Sequence, residues 1–215
     1  MPEHPAPHES APPFAYWEDR YAGDRPVWSG APNATLVDVL TGLAPGRALD
    51  LGCGEGGDAI WLAGQGWTVT GIDIAPTAIA RARAAAEAEG LGGDRIRFFA
   101  ADLAALAHER EFDLVTASFF HSTVELPRTE ILRRAAERVA AGGHLFLLTH
   151  AAIPPWAPAE VHDHRFLRPH EELDELQLDV SEWLPVRVET VARAITAPDG
   201  GPAVMEDGVV LLQRR

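Results

Sequence analysis

Residues 48–57 read ALDLGCGEGG, and this stretch decides the fold because an apolar run leads directly into closely spaced glycines. The run from 47 to 52 predicts a buried strand, and GGDAIWLAGQG (56–66) predicts the helix after the loop. Glycine is needed where the backbone passes close beneath a ligand or adopts a positive φ. Open α/β sheets bind their ligands at the carboxyl ends of the strands, where this loop lies. The stretch therefore predicts a nucleotide site.

Strands and helices continue to alternate on the C-terminal side of this loop. Further strands are predicted at 67–74, 95–102, 112–120 and 144–150, and helices at 76–90, 127–143 and 170–177. Two more strand-like runs, 185–196 and 202–213, are joined by the turn residues PDGG (198–201). Strands that alternate with helices of this length form right-handed βαβ units. We therefore expect an α/β, Rossmann-like, doubly wound and mostly parallel seven-stranded sheet with a C-terminal antiparallel hairpin.

Composition restricts the partners and the compartment of the protein. Thirty-two acidic residues against 18 basic ones give a net charge of -14, which disfavours binding to nucleic acids and anionic membranes. The single cysteine, Cys53, excludes an internal disulfide and fits a reducing compartment. No apolar run approaches the roughly 20 residues of a membrane-spanning helix, and the N-terminus does not resemble a secretory signal. We expect a soluble cytoplasmic protein with no nucleic-acid or membrane partner.

The chain is long enough for one domain of ordinary size. We expect residues 1–13, which are rich in proline, to be a disordered lead and residues 14–215 to form a single domain. Within that domain the pattern divides into an N-terminal cap or lid (14–43), a cofactor-binding core (44–150), and a substrate-side insertion with the C-terminal hairpin (151–215).

The glycine loop by itself fits two kinds of cofactor. Gly52-x-Gly54-x-x-Gly57 matches the dinucleotide fingerprint, and Asp73 lies about 20 residues further on, where a ribose-binding acid belongs. Asp50 favours the other kind, since a carboxylate beside the loop would repel a pyrophosphate. It suits a cationic ligand such as the sulfonium and ammonium of S-adenosylmethionine. The structural alternative for Asp50 is a turn carboxylate that only caps backbone amides.

The stretch ALDLGCGEGG resembles the first motif of class I S-adenosylmethionine-dependent methyltransferases, and the resemblance extends over about residues 14–215. It implies S-adenosylmethionine as the cofactor. It also implies that Asp73 accepts hydrogen bonds from both ribose hydroxyls and that Asp102 and Leu103 lie at the adenine, although Asp102 could simply cap the turn after it. The implied cofactor-binding residues are Trp17, Tyr21, Trp28, Asp50, Gly52, Gly54, Gly56, Asp73, Ile74, Asp102, Leu103 and Ser118.

The N-terminal segment FAYWEDRYAGDRPVWSGAPN (14–33) is more loosely similar to the thiopurine and tellurite-resistance methyltransferases, in which an aromatic segment folds over the cofactor. Trp17 and Tyr21 are four residues apart and would share one face of a helix. Here they replace the pair of tryptophans of that group. The alternative is a hydrophobic staple that packs the segment onto the sheet, and both roles are compatible.

Histidines are the candidates for acceptor chemistry. His121 follows the fourth strand, at the position that faces the transferred methyl group in this fold, and we predict it to be a catalytic general base. The alternative is a histidine that lines the pocket without proton transfer, and His150 ends the fifth strand on the same rim. A metal cluster is a weaker hypothesis, since a third firm ligand is missing, and we predict no metal site. Its candidate ligands are His162, Asp163, His164 and His170.

Residues 118–121 read SFFH instead of the Asn/Asp-Pro-Pro-Tyr signature, which argues against transfer to adenine N6 or glutamine N5. We predict an S-adenosylmethionine-dependent enzyme that methylates a thiol, a hydroxyl or a similar heteroatom of a small molecule. The alternatives are a macromolecule methyltransferase, which the acidic charge and short loops disfavour, and a non-catalytic S-adenosylmethionine-binding protein. The pattern does not select an acceptor atom or an oligomeric state.

Overall fold

The structure, a computed structural model, describes residues 12–105, 111–153, 156 and 166–215. Within these ranges seven strands form one sheet in the order β3-β2-β1-β4-β5-β7-β6. Strands β1 to β5 are parallel, and β7 runs antiparallel between β5 and β6. The predicted fold class is thereby confirmed. The strands are β1 Arg47–Leu51, β2 Thr68–Asp73, β3 Ile96–Ala100, β4 Phe112–Ser118, β5 Val139–His150, β6 Trp183–Thr196 and β7 Pro202–Arg214.

Helices cover both faces of this sheet. Apolar side chains of α2, α3 and α4 pack on one face, and those of α5 and α6 pack on the other. None of the helices in the described ranges is both long and apolar enough to cross a membrane. The helices are α1 Pro13–Tyr21, α2 Ala34–Leu40, α3 Gly57–Gly64, α4 Pro76–Ala88, α5 Arg128–Ala136 and α6 Pro169–Leu176, with a 3₁₀ turn at Leu103–Ala105.

Local signals mark the ends of several helices as expected. Pro76 is the first residue of α4, where its fixed φ and missing N–H have no cost. Gly90, with a φ of 71°, follows the end of that helix. Helix α1 begins at Pro13, so the last residue of the predicted lead belongs to the helix. Residues 1–11 lie outside the described ranges.

The connection between α5 and β5 differs from the prediction. Helix α5 ends at Ala136, whereas the prediction extended it to residue 143, and β5 begins at Val139. Val139 pairs with Phe112 and His144 pairs with Leu114, so residues 140–143 form an irregularity in the ladder. A Cβ on Gly143 would approach backbone oxygens to 2.9 Å, which explains the glycine there. The alanines of this run suit a helix, and the pairing with β4 overrides that preference.

The carboxyl ends of β1, β2, β4 and β5 meet at one edge of the sheet, as in other parallel α/β folds. The β6–β7 ribbon continues past this edge. Pairing of β5 with β7 ends at His150 and Asp207, whereas pairing of β6 with β7 continues to Thr196 and Pro202. The loops after the parallel strands, the β6–β7 ribbon and α1 therefore surround the same edge of the sheet.

Candidate active site

A cavity of about 560 Å³ lies at the carboxyl edge of the strands, within the range typical of small-molecule sites. Twelve of the thirteen residues predicted for the site line this cavity, and Gly56 does not. The twelve are Trp17, Tyr21, Trp28, Asp50, Gly52, Gly54, Asp73, Ile74, Asp102, Leu103, Ser118 and His121.

Asp50 is a buried acid at the end of β1, with 3% of its surface exposed. The hydroxyl of Thr116, its neighbour in the ladder, donates a hydrogen bond of 2.8 Å to Oδ1 of Asp50. Burial raises the pKa of Asp50 well above its usual value, and the nearby Asp58 and Asp73 carboxylates raise it further. A cation bound in the cavity would offset these costs, so the site fits a positively charged ligand.

Asp73 ends β2 and fixes the glycine loop. Its Oδ2 accepts a hydrogen bond of 2.9 Å from the Gly54 N–H, and its Oδ1 accepts one of 2.9 Å from the Ala75 N–H. Burial raises the pKa of Asp73 despite these amide contacts, which lower it. Each carboxylate oxygen accepts more than one hydrogen bond, so Asp73 can also bind ligand hydroxyls in the cavity.

Two glycines of the loop serve different purposes. Gly54 has a φ of 52°, and a Cβ there would lie 3.1 Å from Oη of Tyr21. Gly56 has a φ of 88° and precedes α3, where a Cβ would lie 3.0 Å from the Phe98 ring. Gly54 thus lets α1 approach the loop, and Gly56 lets the loop pack on the core behind the cavity.

Asp102 and Leu103 follow β3 at the same edge. The Asp102 carboxylate accepts a 2.8 Å hydrogen bond from the Ala104 N–H, so it caps the 3₁₀ turn as the structural alternative anticipated. It lines the cavity as well, together with Leu103 and Ile74. Asp102 thus adds a carboxylate to the cavity wall, and Leu103 and Ile74 add apolar side chains.

The N-terminal segment forms one wall of the cavity. Tyr21 is buried beside the glycine loop, and Nε1 of Trp28 donates a 3.0 Å hydrogen bond to its Oη. Burial, assisted by the Asp73 carboxylate, raises the pKa of Tyr21 to about 12. Nε1 of Trp17 donates to Oγ of Ser122 at 3.3 Å, and both residues line the cavity. These aromatic side chains line the cavity, and Trp17 and Tyr21 also pack against Ala78 of α4. That the segment folds over the cofactor stays a prediction.

Two buried carboxylates hold the segment in place, and neither was identified from the sequence. Oε2 of Glu55 accepts hydrogen bonds from the N–H groups of Val27 (3.0 Å) and Trp28 (2.9 Å). Arg81 completes this contact through a 2.7 Å ion pair with Glu55. We call Glu55 and Asp58 the cap latch. Asp58 accepts hydrogen bonds from Asn33 at its backbone N–H (2.7 Å) and its amide nitrogen (2.9 Å).

We expect Glu55→Ala to release the segment, because two backbone donors and Arg81 lose their shared acceptor. Charge-assisted hydrogen bonds contribute about 1.5–3 kcal/mol, so the Val27 and Trp28 amides should exchange roughly 10–100-fold faster with deuterium. In the wild type, S-adenosylhomocysteine should slow exchange over residues 14–33. Glu87→Ala, on the exposed face of α4, serves as the control. Unchanged exchange in Glu55→Ala would contradict the role of the latch.

Aromatic side chains form the other end of the cavity, beyond Ser118. Phe119 has a φ of 49°, an uncommon conformation for a residue with a side chain. Its N–H donates a 2.7 Å hydrogen bond to the Leu148 carbonyl and its carbonyl accepts a 2.8 Å bond from the His121 N–H. The His121 ring lies edge-on to Phe166, with centroids 6.2 Å apart. We call the part of the cavity lined by Phe119, Phe120, His121 and His150 the acceptor end.

The hypothesis of a metal site rested largely on residues that the structure does not describe. His162, Asp163 and His164 lie outside the described ranges, and His170 is exposed on α6. In the part of the chain that is described, no three His, Cys, Asp or Glu side chains are grouped as metal ligands. Cys53 lies within the glycine loop, where burial raises the pKa of its thiol.

Comparisons with known proteins agree with this geometry. A family model described as a methyltransferase domain matches residues 48–143. The chain is 34% identical over 154 residues to 2-heptyl-1-hydroxyquinolin-4(1H)-one methyltransferase of Mycobacteroides abscessus. This match covers 65% of this chain and 66% of that protein. It is 30% identical over 171 residues to ubiquinone biosynthesis O-methyltransferase of Pseudomonas aeruginosa, covering 72% and 73%. The chain spans between 38% and 66% of the length of four of the curated relatives that it matches.

The chain belongs to the family of S-adenosylmethionine-dependent methyltransferases. The cofactor of that family is S-adenosylmethionine, as predicted. The crystal structure of TehB from Haemophilus influenzae has the same fold, with a TM-score of 0.67, 21% identity and coverage of 94% of this chain and 67% of that one. The predicted resemblance to class I methyltransferases, with the tellurite-resistance group among the neighbours, is confirmed.

Proposed function

We propose that this protein transfers a methyl group from S-adenosylmethionine to a hydroxyl, thiol or similar heteroatom of a small molecule. The observation that carries the proposal is the composition of the cavity. Buried acids at the glycine loop and an aromatic, histidine-bearing acceptor end line one continuous space. A cation and an apolar acceptor can therefore meet in it, which lets the protein act by positioning the two reactants.

The cofactor would be held by the residues around the glycine loop. In this proposal Asp73 binds the ribose hydroxyls, and Asp102, Leu103 and Ile74 contact the adenine. Asp50, Gly52, Gly54 and Ser118 line the remainder of the site, and Trp17, Tyr21 and Trp28 enclose it. S-adenosylmethionine supplies an activated methyl group on a sulfonium sulfur. The buried carboxylates stabilise a cation here, and the cap limits access of water.

An uncharged acceptor suits the charges of the cavity. Among the described lining residues, the charged side chains are all carboxylates: Asp50, Asp58, Asp73, Asp102 and Glu125. An anionic acceptor such as a nucleic acid would be repelled by this set. The two curated relatives compared above are named for a hydroxyquinolone and for O-methylation, which supports a hydroxyl on an aromatic small molecule.

We propose His121 as the general base. Its imidazole accepts the proton of the acceptor hydroxyl while the oxygen forms a bond to the methyl carbon and the carbon–sulfur bond breaks. The sulfur keeps the bonding electron pair, and the imidazolium later returns its proton to water. A thiol acceptor ionises readily near neutral pH and needs less help.

Two other functions remain as competing hypotheses. A macromolecule methyltransferase would need a surface that attracts an extended substrate, and the net charge of -14 opposes a polyanion. A non-catalytic S-adenosylmethionine-binding protein would have its acceptor end filled by side chains. Phe166 packs against His121, and Phe119, His121 and His150 still line the open cavity. A single domain over residues 14–215 and a cytoplasmic location stay predictions.

A product screen tests the proposed function. The protein is incubated with methyl-labelled S-adenosylmethionine and, in separate reactions, with phenols, thiols, amines, metalloid oxyanions, a nucleic acid and a total protein extract. We expect label transfer to phenols or thiols and none to a nucleic acid or to a total protein extract. Label in the macromolecules alone would favour the first alternative, and cofactor binding without transfer to any acceptor would favour the second.

A further inference from the structure

A buried ion pair lies next to the acceptor end, and the proposed reaction does not use it. Asp207 is on β7 and is fully buried. Its carboxylate accepts hydrogen bonds from two nitrogens of Arg193 on β6, Nε and Nη2 (3.0 Å for the latter). Oγ1 of Thr35 on α2 donates another hydrogen bond to this carboxylate at 2.8 Å. Neither Arg193 nor Asp207 lines the cavity.

The guanidinium of Arg193 lies over the ring of Phe119, with its Cζ 5.8 Å from the ring centroid. A cation at this distance is attracted to the face of an aromatic ring. The two hydrogen bonds to Asp207 fix the orientation of the guanidinium, because they hold it at two nitrogens at once. The ring of Phe119, which lines the cavity, therefore contacts a cation that is itself held in place.

The backbone of Phe119 needs such support. Its φ of 49° is an unfavourable conformation for a residue with a side chain, and it persists only where the surrounding structure enforces it. The Phe119 N–H donates a 2.7 Å hydrogen bond to the Leu148 carbonyl, and the His121 N–H donates a 2.8 Å bond to the Phe119 carbonyl. The backbone of His121 is therefore attached to the residue whose ring Arg193 contacts.

We propose that Arg193 and Asp207 are positioning residues of the acceptor end, which hold the ring of Phe119 and thereby fix the place of His121. The inference rests on the proposed methyl transfer and deepens it, because it names residues outside the cavity that set the shape of the acceptor site. Since neither residue of the pair lines the cavity, both act through Phe119.

Hydrogen exchange tests the first step of this proposal without an acceptor. Arg193→Met is compared with the wild type, both with S-adenosylhomocysteine bound. We expect the Phe119 and His121 amides to exchange at least about fivefold faster in the variant, because the ring loses its contact with the cation. The Gly54 and Ala75 amides at the glycine loop should exchange as before. A residue that only stabilises the whole fold would accelerate exchange at both places.

Steady-state kinetics with 2-naphthol as the acceptor test the second step. We expect Arg193→Met to lower kcat/KM for 2-naphthol at least about fivefold and to leave the affinity for S-adenosylmethionine within about twofold of the wild type. Arg193→Lys keeps a cation beside Asp207 and should recover part of kcat/KM. Arg187→Met removes another ion-paired arginine of β6 and is the matched control, which should change neither quantity.

A double-mutant cycle shows whether Arg193 acts through Phe119. In a Phe119→Leu background, Arg193→Met should change kcat/KM by about twofold or less, because the ring on which it acts is gone. If circular dichroism shows that Arg193→Met is unfolded, the neutral pair Arg193→Gln with Asp207→Asn takes its place. This pair leaves no buried carboxylate without its cation.

Unchanged exchange of the Phe119 and His121 amides in Arg193→Met would overturn the proposal. An unchanged kcat/KM would overturn it as well, and so would a loss that persists in full in the Phe119→Leu background. Failure of the proposed function has a different signature: the wild type transfers label to no small molecule in the product screen. The exchange comparison then still decides whether Arg193 holds Phe119.

Discussion

Asp73→Ala is expected to weaken S-adenosylmethionine binding by about 100-fold or more. In the proposed role of Asp73, the variant loses two charge-assisted hydrogen bonds to the ribose hydroxyls, each contributing roughly 1.5–3 kcal/mol. The Gly54 and Ala75 amides lose their acceptor at the same time, so the glycine loop becomes less ordered. Titration calorimetry with S-adenosylmethionine and S-adenosylhomocysteine measures the effect.

Two control variants separate loss of ligand contacts from loss of structure. Asp73→Asn keeps one carbonyl oxygen for a backbone amide and should bind with an intermediate affinity. Asp94→Ala removes an exposed acid before β3 and should bind as the wild type does. An affinity of Asp73→Ala within a few-fold of the wild type would contradict the ribose role. Tight binding of a nicotinamide dinucleotide by the wild type would contradict the cofactor assignment.

His121→Asn is expected to lose at least about 100-fold in turnover with a phenolic acceptor, since a positioned base typically contributes about 10²–10⁴-fold. Cofactor affinity should stay within a few-fold, because the proposed role concerns only the acceptor proton. The wild-type rate should rise from acidic to neutral pH, because a protonated imidazole cannot accept the proton of the acceptor. The variant should lack this rise.

A thiol acceptor provides the internal control for this prediction. A thiol loses its proton to water more easily than a phenol does, so His121→Asn should be only mildly slower than the wild type with thiols. Turnover is followed by label transfer at fixed ionic strength across the pH range. If the variant is fast with every acceptor, His121 only lines the pocket, and the protein accelerates the reaction through positioning.

The core of the site was predictable from the sequence because its signals are local. The strand, glycine loop and helix around Asp50 follow one another along the chain, and each acid at a strand end marks the same edge. At one local pattern that suits both a helix and a strand, the predicted boundary was wrong. The run VAAGG (139–143) has helix-forming alanines, and only its pairing with β4 shows that a strand begins at Val139.

Contacts between distant parts of the chain were not predictable in the same way. Glu55 lies in the glycine loop, and nothing in its neighbourhood indicates that it accepts hydrogen bonds from residues 27 and 28. The packing of Phe166 against His121 and His150 likewise depends on where the chain returns after β5. The sequence pointed to His121 and His150 as candidates, but only the structure shows that Phe166 contacts both of them.

The cap latch has a consequence for how this protein tolerates change. Glu55 accepts hydrogen bonds from the backbone N–H groups of Val27 and Trp28. Every residue except proline has such an N–H group. Most substitutions at these two positions therefore keep both backbone hydrogen bonds to Glu55. Val27→Pro should remove one of them, because proline has no backbone N–H. Natural drift or directed evolution can thus reshape this wall of the pocket while its anchorage persists. The side chains that face the pocket and the carboxylate that holds their backbone can therefore change independently of each other.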